Sequence, residues 1–231
     1  MNFEELGLSV KGFLDLNDEK IASLKKYREF VLESNKQFNL TSITDENEFI
    51  IKHFYDSLIP LKYLSIEGKE VLDFGSGAGF PGVPFAISVP NARLTLLDAT
   101  RKKCLFLSSV KDELKLDNVE VVCARGESLA KKEGFDVVTA RAVASLPILL
   151  ELVSQSIRVG GRLLALKGDH GKDELSENEG AIKKLGFKLE KVEEYELPEK
   201  MGGRTLIILK KVAKTPNKFP RLYADMLKKP L

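Results

Sequence analysis

Val71-Leu72-Asp73-Phe74-Gly75-Ser76-Gly77-Ala78-Gly79-Phe80-Pro81-Gly82 decides the fold, because an apolar run carrying one acid passes straight into a glycine cluster and then a helix start. Glycines permit a tight turn and let backbone approach a ligand closely. Pro81 suits a first helical turn, and the N–H groups of a helix start are available to an anion. Gly77, Gly79 and Gly82 satisfy GxGxxG, a pattern that by itself marks a dinucleotide site equally well.

On the C-terminal side of this stretch, short β-rich runs alternate with helical segments, which predicts βαβ units and a parallel sheet. Strands are expected near Val71–Phe74, Arg93–Asp98, Val119–Cys123, Asp136–Ala140 and Arg162–Lys167. Helices are expected at Pro84–Ser88, Arg101–Leu114, Leu146–Ile157 and after Asp173. Leu189–Leu197 and Thr205–Val212 lack an obvious intervening helix and read as an antiparallel closing pair. On the N-terminal side the first seventy residues read as helices. Ile21, Leu24, Tyr27 and Val31 recur at helical spacing from an N-cap at Asp18. A second helix follows Thr44, with Asp45 and Glu46 in its first turn and His53 among its apolar residues. The resulting division is a helical subdomain over 1–66, an α/β core over 67–213 and a basic extension over 214–231 on or near the core.

Two acids narrow the ligand. Asp98 ends the second strand, where a carboxylate accepts bonds from ribose hydroxyls. Asp73 lies two residues before Gly75. Its charge repels a pyrophosphate but attracts the ammonium and sulfonium of S-adenosylmethionine. That cofactor is therefore expected, with a nicotinamide dinucleotide as the rival.

Composition bounds the rest. At 231 residues the chain suits one domain of ordinary size. No apolar run approaches the ~20 residues of a bilayer span, and the first sixteen residues do not read as a secretory signal, so a cytoplasmic protein is expected. Cys104 and Cys123 lack CxxC spacing, which predicts reduced core thiols, no disulfide and no metal. The net charge of +2 hides an asymmetry, since Lys200–Leu231 holds nine basic residues against Asp225. A basic end suggests a polyanion; a solvated tail is the plainer alternative.

The chain also resembles a known family, the bacterial 16S ribosomal RNA guanine-N7 methyltransferase G, also called glucose-inhibited division protein B. The likeness is carried by Asn39-Leu40-Thr41, His53-Phe54-Tyr55-Asp56-Ser57-Leu58, Asp73 through Gly82, Asp98 with Arg101-Lys102-Lys103, Arg125-Gly126-Glu127, Arg141-Ala142, Leu166-Lys167-Gly168 and Phe219-Pro220-Arg221. It implies a Rossmann-like class I S-adenosylmethionine-dependent methyltransferase, with a mainly parallel seven-stranded sheet, an antiparallel last strand and N-terminal helices. The implied reaction is methylation of N7 of the guanine at position 527 of 16S rRNA, free or in a small-subunit precursor. The implied cofactor residues are Gly75, Phe80, Asp98, Gly126, Glu127 and Arg141; Asp73, Gly77, Gly79, Ala99 and Thr100 are grouped with them.

Guanine N7 presents a lone pair and no proton, so in-line displacement needs alignment rather than a general base. This suits a chain with two histidines and no clear nucleophile–base pair. Asn39, His53 and Arg141 are candidates for positioning the substrate, though Arg141 has an alternative role of securing the fold through Asp136. RNA phosphates are expected at Lys102, Lys103, Arg125, Lys167 and Arg204 near strand ends, and at Lys210, Lys211, Lys214 and Arg221 in the basic end. Splayed bases are expected to stack on Phe80, Tyr55 or an arginine. A non-catalytic RNA-binding assembly factor remains the alternative from another class.

Overall fold

A computed structural model describes residues 1–129 and 134–231. Alternating runs of branched apolar residues build one seven-stranded sheet: β1 (Glu70–Phe74), β2 (Arg93–Asp98), β3 (Val119–Cys123), β4 (Phe135–Arg141), β5 (Ile157–Lys167), β6 (Phe187–Glu196) and β7 (Gly203–Lys211). The spatial order is β3-β2-β1-β4-β5-β7-β6. β1 to β5 pair in parallel, and β7 inserts antiparallel between β5 and β6. The last strand in the chain is thus the reversed one, as expected. β1 has β2 on one side and β4 on the other, so successive connections leave it in opposite directions. That reversal opens a crevice at the C-terminal strand ends.

The first helices are α1 (Phe3–Val10) and α2 (Asp18–Phe38). Asn17, not Asp18, caps α2 by accepting the Lys20 N–H, and Asp18 sits in the first turn instead. At the other end Asn39 takes the left-handed conformation that closes α2. The second expected helix is not uniformly α. It runs as α3 (Glu46–Phe49), a π-helical stretch at Ile50–Tyr55, α4 (Asp56–Leu58) and a 3-10 turn at Ile59–Lys62. In the π stretch the Asp56 N–H reaches back to Ile51 O, one residue further than an α-helix allows.

Leu24, Tyr27, Phe49 and Phe54 share a core with Val71, Leu94 and Phe106, so the N-terminal helices cover one face of the sheet together with α5 (Gly82–Ser88) and α6 (Arg101–Leu114). The opposite face is covered by α7 (Gly126–Leu129), α8 (Leu146–Val153), α9 (Gly171–Glu177), α10 (Glu179–Lys184) and the tail with α11 (Tyr223–Lys228), through Leu129, Leu149, Ile182, Phe219 and Met226. α8 is shorter than expected because Ser154 to Ser156 turn the chain into β5.

Candidate functional site

The glycine turn is braced from several directions. Gly75 and Ser76 donate their amides to Leu97 O, binding the turn to the end of β2. The Tyr27 hydroxyl donates to Ala78 O, so α2 supports the turn from the opposite side. Gly77 has φ +60° and donates to Asp98 Oδ2 at 3.0 Å. Asp98 Oδ1 accepts the Thr100 N–H at 2.8 Å. Both oxygens are oriented by backbone, and each keeps lone-pair capacity for a hydroxyl.

The expected anion cradle does not form. Gly82 gives its amide to Asp73 Oδ2 at 3.0 Å, and Val83 gives its own to Gly79 O. Those N–H groups are spent inside the turn, which removes the feature a pyrophosphate would need. Gly82 is required by crowding: an added Cβ would lie 2.6 Å from Asp73 Oδ2 and collide with Leu96. Asp73 is 1% exposed, and its other oxygen, Oδ1, has no hydrogen-bond partner. A buried carboxylate oxygen without a donor is costly, and a cationic amine satisfies it. Burial pushes the Asp73 pKa up to about 6, partly offset by its hydrogen bonds and by Arg141.

Gly126 and Glu127 open α7 beyond β3, Ala99 and Thr100 follow β2 exposed to solvent, and Arg141 ends β4. All the expected cofactor residues therefore line one edge of the sheet. Phe80 connects this edge to a second region. It is 5% exposed and packs against Tyr27, Phe49 and His53, with the Arg141 guanidinium 5.2 Å from its centroid. Phe80 is thus no open platform for a base, contrary to expectation, since aromatic neighbours cover it.

Beside Phe80 lies a cleft of ≈ 380 Å³ lined by Lys52, His53, Asp56, Arg141, Lys167 and Arg204, among others. His53 places Nε2 2.9 Å from Thr41 Oγ1 and Nδ1 3.4 Å from the Arg141 guanidinium. Burial first, then Arg141 and Lys52, push its pKa down to about 3, so the imidazole is neutral. Arg141 does not secure the fold through Asp136, which pairs with Arg158 and the Glu70 amide. It pairs instead with Asp56 at 3.2 Å and donates to Lys52 O at 3.0 Å. Lys167 donates to Ala144 O and pairs with Glu174 at 2.8 Å. Asn39 is exposed at the end of α2 and does not line the cleft. Tyr55 is half-buried against the helical core. Sequence reasoning assigned no role to Lys52 or Asp56; the available signal was a carboxylate within the apolar run Ile50, Ile51, Phe54, Leu58.

The RNA candidates divide. Lys102 and Arg125 are exposed near the site edge, while Lys103 lies 3.7 Å from Asp98. Lys167 and Arg204 face the cleft. The basic end is elsewhere. Lys210 pairs in register with Arg162, five residues along β5 from Lys167, roughly 17 Å away at strand rise. Lys211 is 2% exposed, donating to Leu185 O at 2.6 Å and lying over the Phe187 ring. Arg221 embraces buried Glu151, with its Nη2 2.7 Å from Oε2. Lys211 and Arg221 are therefore internal ties, and the expectation that they meet phosphates is corrected; Lys210 and Lys214 are exposed at the end away from the cleft. Cys104 is buried as expected, with its thiol pushed up to about 12 mainly by burial, whereas Cys123 is exposed rather than in the core. His170 is exposed.

The sheet order, the braced glycine turn and the acids at two neighbouring strand ends define a Rossmann-like methyltransferase of the S-adenosylmethionine-dependent class. Solved structures of similar fold include M. jannaschii TYW2 in complex with AdoMet (TM-score 0.58, 16% identity, 74% of this chain and 80% of that one). An Aquifex aeolicus SAM-dependent methyltransferase is also similar (TM-score 0.56, 16% identity, 79% and 97%). The family model for rRNA small subunit methyltransferase G matches residues 20–201, and the chain belongs to that family. Ribosomal RNA small subunit methyltransferase G of Carboxydothermus hydrogenoformans is 41% identical over 99% of this chain and 97% of its own length. That of Lactobacillus acidophilus is 39% identical over the full length of both. No helix is long and apolar enough to cross a membrane among the described residues, and these hold no cluster of metal-ligating side chains.

Proposed function

We propose that this enzyme methylates N7 of the guanine at position 527 of 16S rRNA, presented free or in a small-subunit precursor in the cytoplasm. The observation that carries the reading is the cleft joined to the glycine turn through Phe80, whose lining among the described residues holds Lys52, Arg141, Lys167 and Arg204 against the single acid Asp56, with Lys52 and Lys167 also paired to Glu48 and Glu174 outside it. Bound S-adenosylmethionine supplies an electrophilic methyl group; Asp73 would hold its cationic end and Asp98 its ribose. The protein's own groups bind and orient. His53 is neutral and already engaged with Thr41 and Arg141, and Asp56 is ion-paired, so neither is poised as a base. N7 has no proton to remove, which makes that arrangement sufficient.

The test is methyl incorporation into small-subunit RNA from cells lacking the protein. One labelled N7-methylguanine at position 527 is expected. Label at an exocyclic amine or at C5 of a pyrimidine would refute the acceptor assignment, and no label in any RNA or particle would refute the activity.

A further inference from the structure

We propose that Asp56 is a positioning residue for methyl transfer, anchoring the Arg141 and Arg204 guanidiniums to one buried carboxylate at the cleft. The inference rests on the reading that this cleft takes the acceptor nucleotide. Asp56 comes from the N-terminal helical run, Arg141 from the end of β4 and Arg204 from the start of β7. They converge although they are far apart in sequence. Oδ2 lies 3.2 Å from Arg141 Nη1, and Oδ1 lies 3.3 Å from Arg204 Nε. The Tyr195 hydroxyl donates to Oδ1 at 3.2 Å. Burial, then Asp56 itself, push the Tyr195 pKa upward, so the hydroxyl keeps its proton and remains a donor.

The Asp56 side chain is 3% exposed, whereas those of Arg141 and Arg204 are 16% and 23% exposed. The acid is therefore the hidden anchor and the two cations are the parts that reach the cleft. The π-helical stretch completes the anchor: with the Asp56 amide bonded to Ile51 O, Lys52 O accepts Arg141 Nη1 at 3.0 Å. Arg141 is thus held at two acceptors on one side and faces His53 and Phe80 on the other. An acid inside a cationic cleft weakens its attraction for a polyanion, so phosphate affinity does not explain this one. Fixed orientation does, because a misplacement of about 1 Å at a reacting centre costs about 100-fold in rate.

The experiment uses the full chain, labelled S-adenosylmethionine and small-subunit RNA from cells lacking the protein, with salt-dependent RNA binding measured alongside turnover. For Asp56→Asn the expected result is a kcat about 10–100-fold lower. RNA affinity is expected to be equal or tighter, with a salt slope at least as steep, because the cleft has lost a negative charge. A kcat within about twofold of wild type would overturn the proposal, by the same scale of rate against misplacement. So would a joint fall of kcat, RNA affinity and thermal midpoint, which marks an anchor of the fold alone. If Asp56→Asn does not fold, Tyr195→Phe removes only the hydroxyl bond. A kcat lower by about 2–10-fold at unchanged thermal midpoint supports positioning, and an unchanged kcat overturns it. Absence of transfer by the wild-type protein overturns the reading of the cleft itself, which separates that failure from failure of the Asp56 role.

Discussion

The imidazole of His53 lies parallel to the ring of Phe80, their centroids 4.4 Å apart and their planes 9° from parallel. One ring belongs to the helical segment beside the cleft and the other to the glycine turn, and Phe49 and Phe54 of the same segment pack on Phe80 as well, so the two halves of the site meet through this ring. Arg141 touches both, 3.4 Å from His53 Nδ1 and 5.2 Å from the Phe80 centroid. Any shift of the turn is felt at the cleft, because close-packed groups transmit displacement rather than absorb it.

The two halves nonetheless titrate apart, so pH between about 5 and 7.5 probes the cofactor half alone. Binding of a cation by Asp73 requires its ionised form, and burial raises that group to about 6. A bound cation favours the charged form, so below about pH 6 binding must expel a proton. Affinity for S-adenosylmethionine should fall by up to about tenfold per pH unit there and be level above about pH 7. His53, at about 3, stays neutral across this range and adds no limb. Calorimetric titration at several pH values decides the matter; a flat affinity from about pH 5 to 7.5 would remove Asp73 from the cofactor site.

The same group should oppose folding. Asp73 has a folded pKa raised from 3.8 to about 6, so stability is greatest while it is protonated and is lost as pH rises through about 6. The full shift corresponds to about 3 kcal/mol. Asp73→Asn should therefore raise the thermal midpoint at about pH 8 while abolishing detectable cofactor binding. A lower midpoint in that variant would show that the Gly82 N–H bond needs the carboxylate and outweighs the charge.

Two glycines of the turn should fail in different ways. Gly82→Ala drives a methyl group against Asp73 and Leu96, and should lower stability by about 1–3 kcal/mol. At Gly77, among the described residues and apart from its own chain neighbours, an added Cβ would meet only Gly75 O, at 3.9 Å, and the strain lies in φ +60°. Gly77→Ala should cost about 1 kcal/mol in folding and proportionally more in cofactor affinity. Urea unfolding and calorimetry on both variants check this; equal losses of stability would place both effects in the turn's packing.

Much of this was legible in sequence because its signals are local. Arg93–Asp98, Val119–Cys123 and Arg101–Leu114 occupy the residues their patterns mark. Asp73 and Asp98 were readable because a strand end and a glycine turn fix where such acids stand. Asp56 was not, since its partners Arg141 and Tyr195 are 85 and 139 residues away and only the sheet order brings them together. The basic tail misled for the same reason: Lys211 and Arg221 count as charge in composition, but their partners Leu185 and Glu151 lie on other elements.

The RNA surface should follow the cleft rather than the tail. Replacing Lys52, Lys102 and Arg125 by glutamine should make RNA binding less salt-sensitive, by about 0.7 in log–log slope for each phosphate that is no longer neutralised. Lys210→Gln with Lys214→Gln, on the side of the sheet away from the cleft, should alter the slope less. Binding to unmodified small-subunit RNA across a salt series measures both. A larger change from the second pair would move the RNA path to that end of the sheet.

Arg221 tests the tail as a structural clamp. It meets Glu151 through Nε and Nη2, donates its backbone N–H to the same carboxylate at 2.7 Å and reaches Lys229 O through Nη1. Glu151 is 1% exposed. Removing the arginine leaves a buried carboxylate with fewer donors, a change that costs about 3–5 kcal/mol when one partner of a buried pair is removed. Arg221→Ala should therefore lower the thermal midpoint by several degrees, yet leave cofactor affinity unchanged below the transition, because Glu151 lies on α8 and the glycine turn follows β1. Adding Glu151→Ala should recover part of the loss, since the unpaired charge then disappears. The two single variants and the double variant, unfolded in urea, give the coupling directly. If their effects simply add, the ion pair is not what holds the tail, and the buried side chains of Phe219 and Met226 hold it instead.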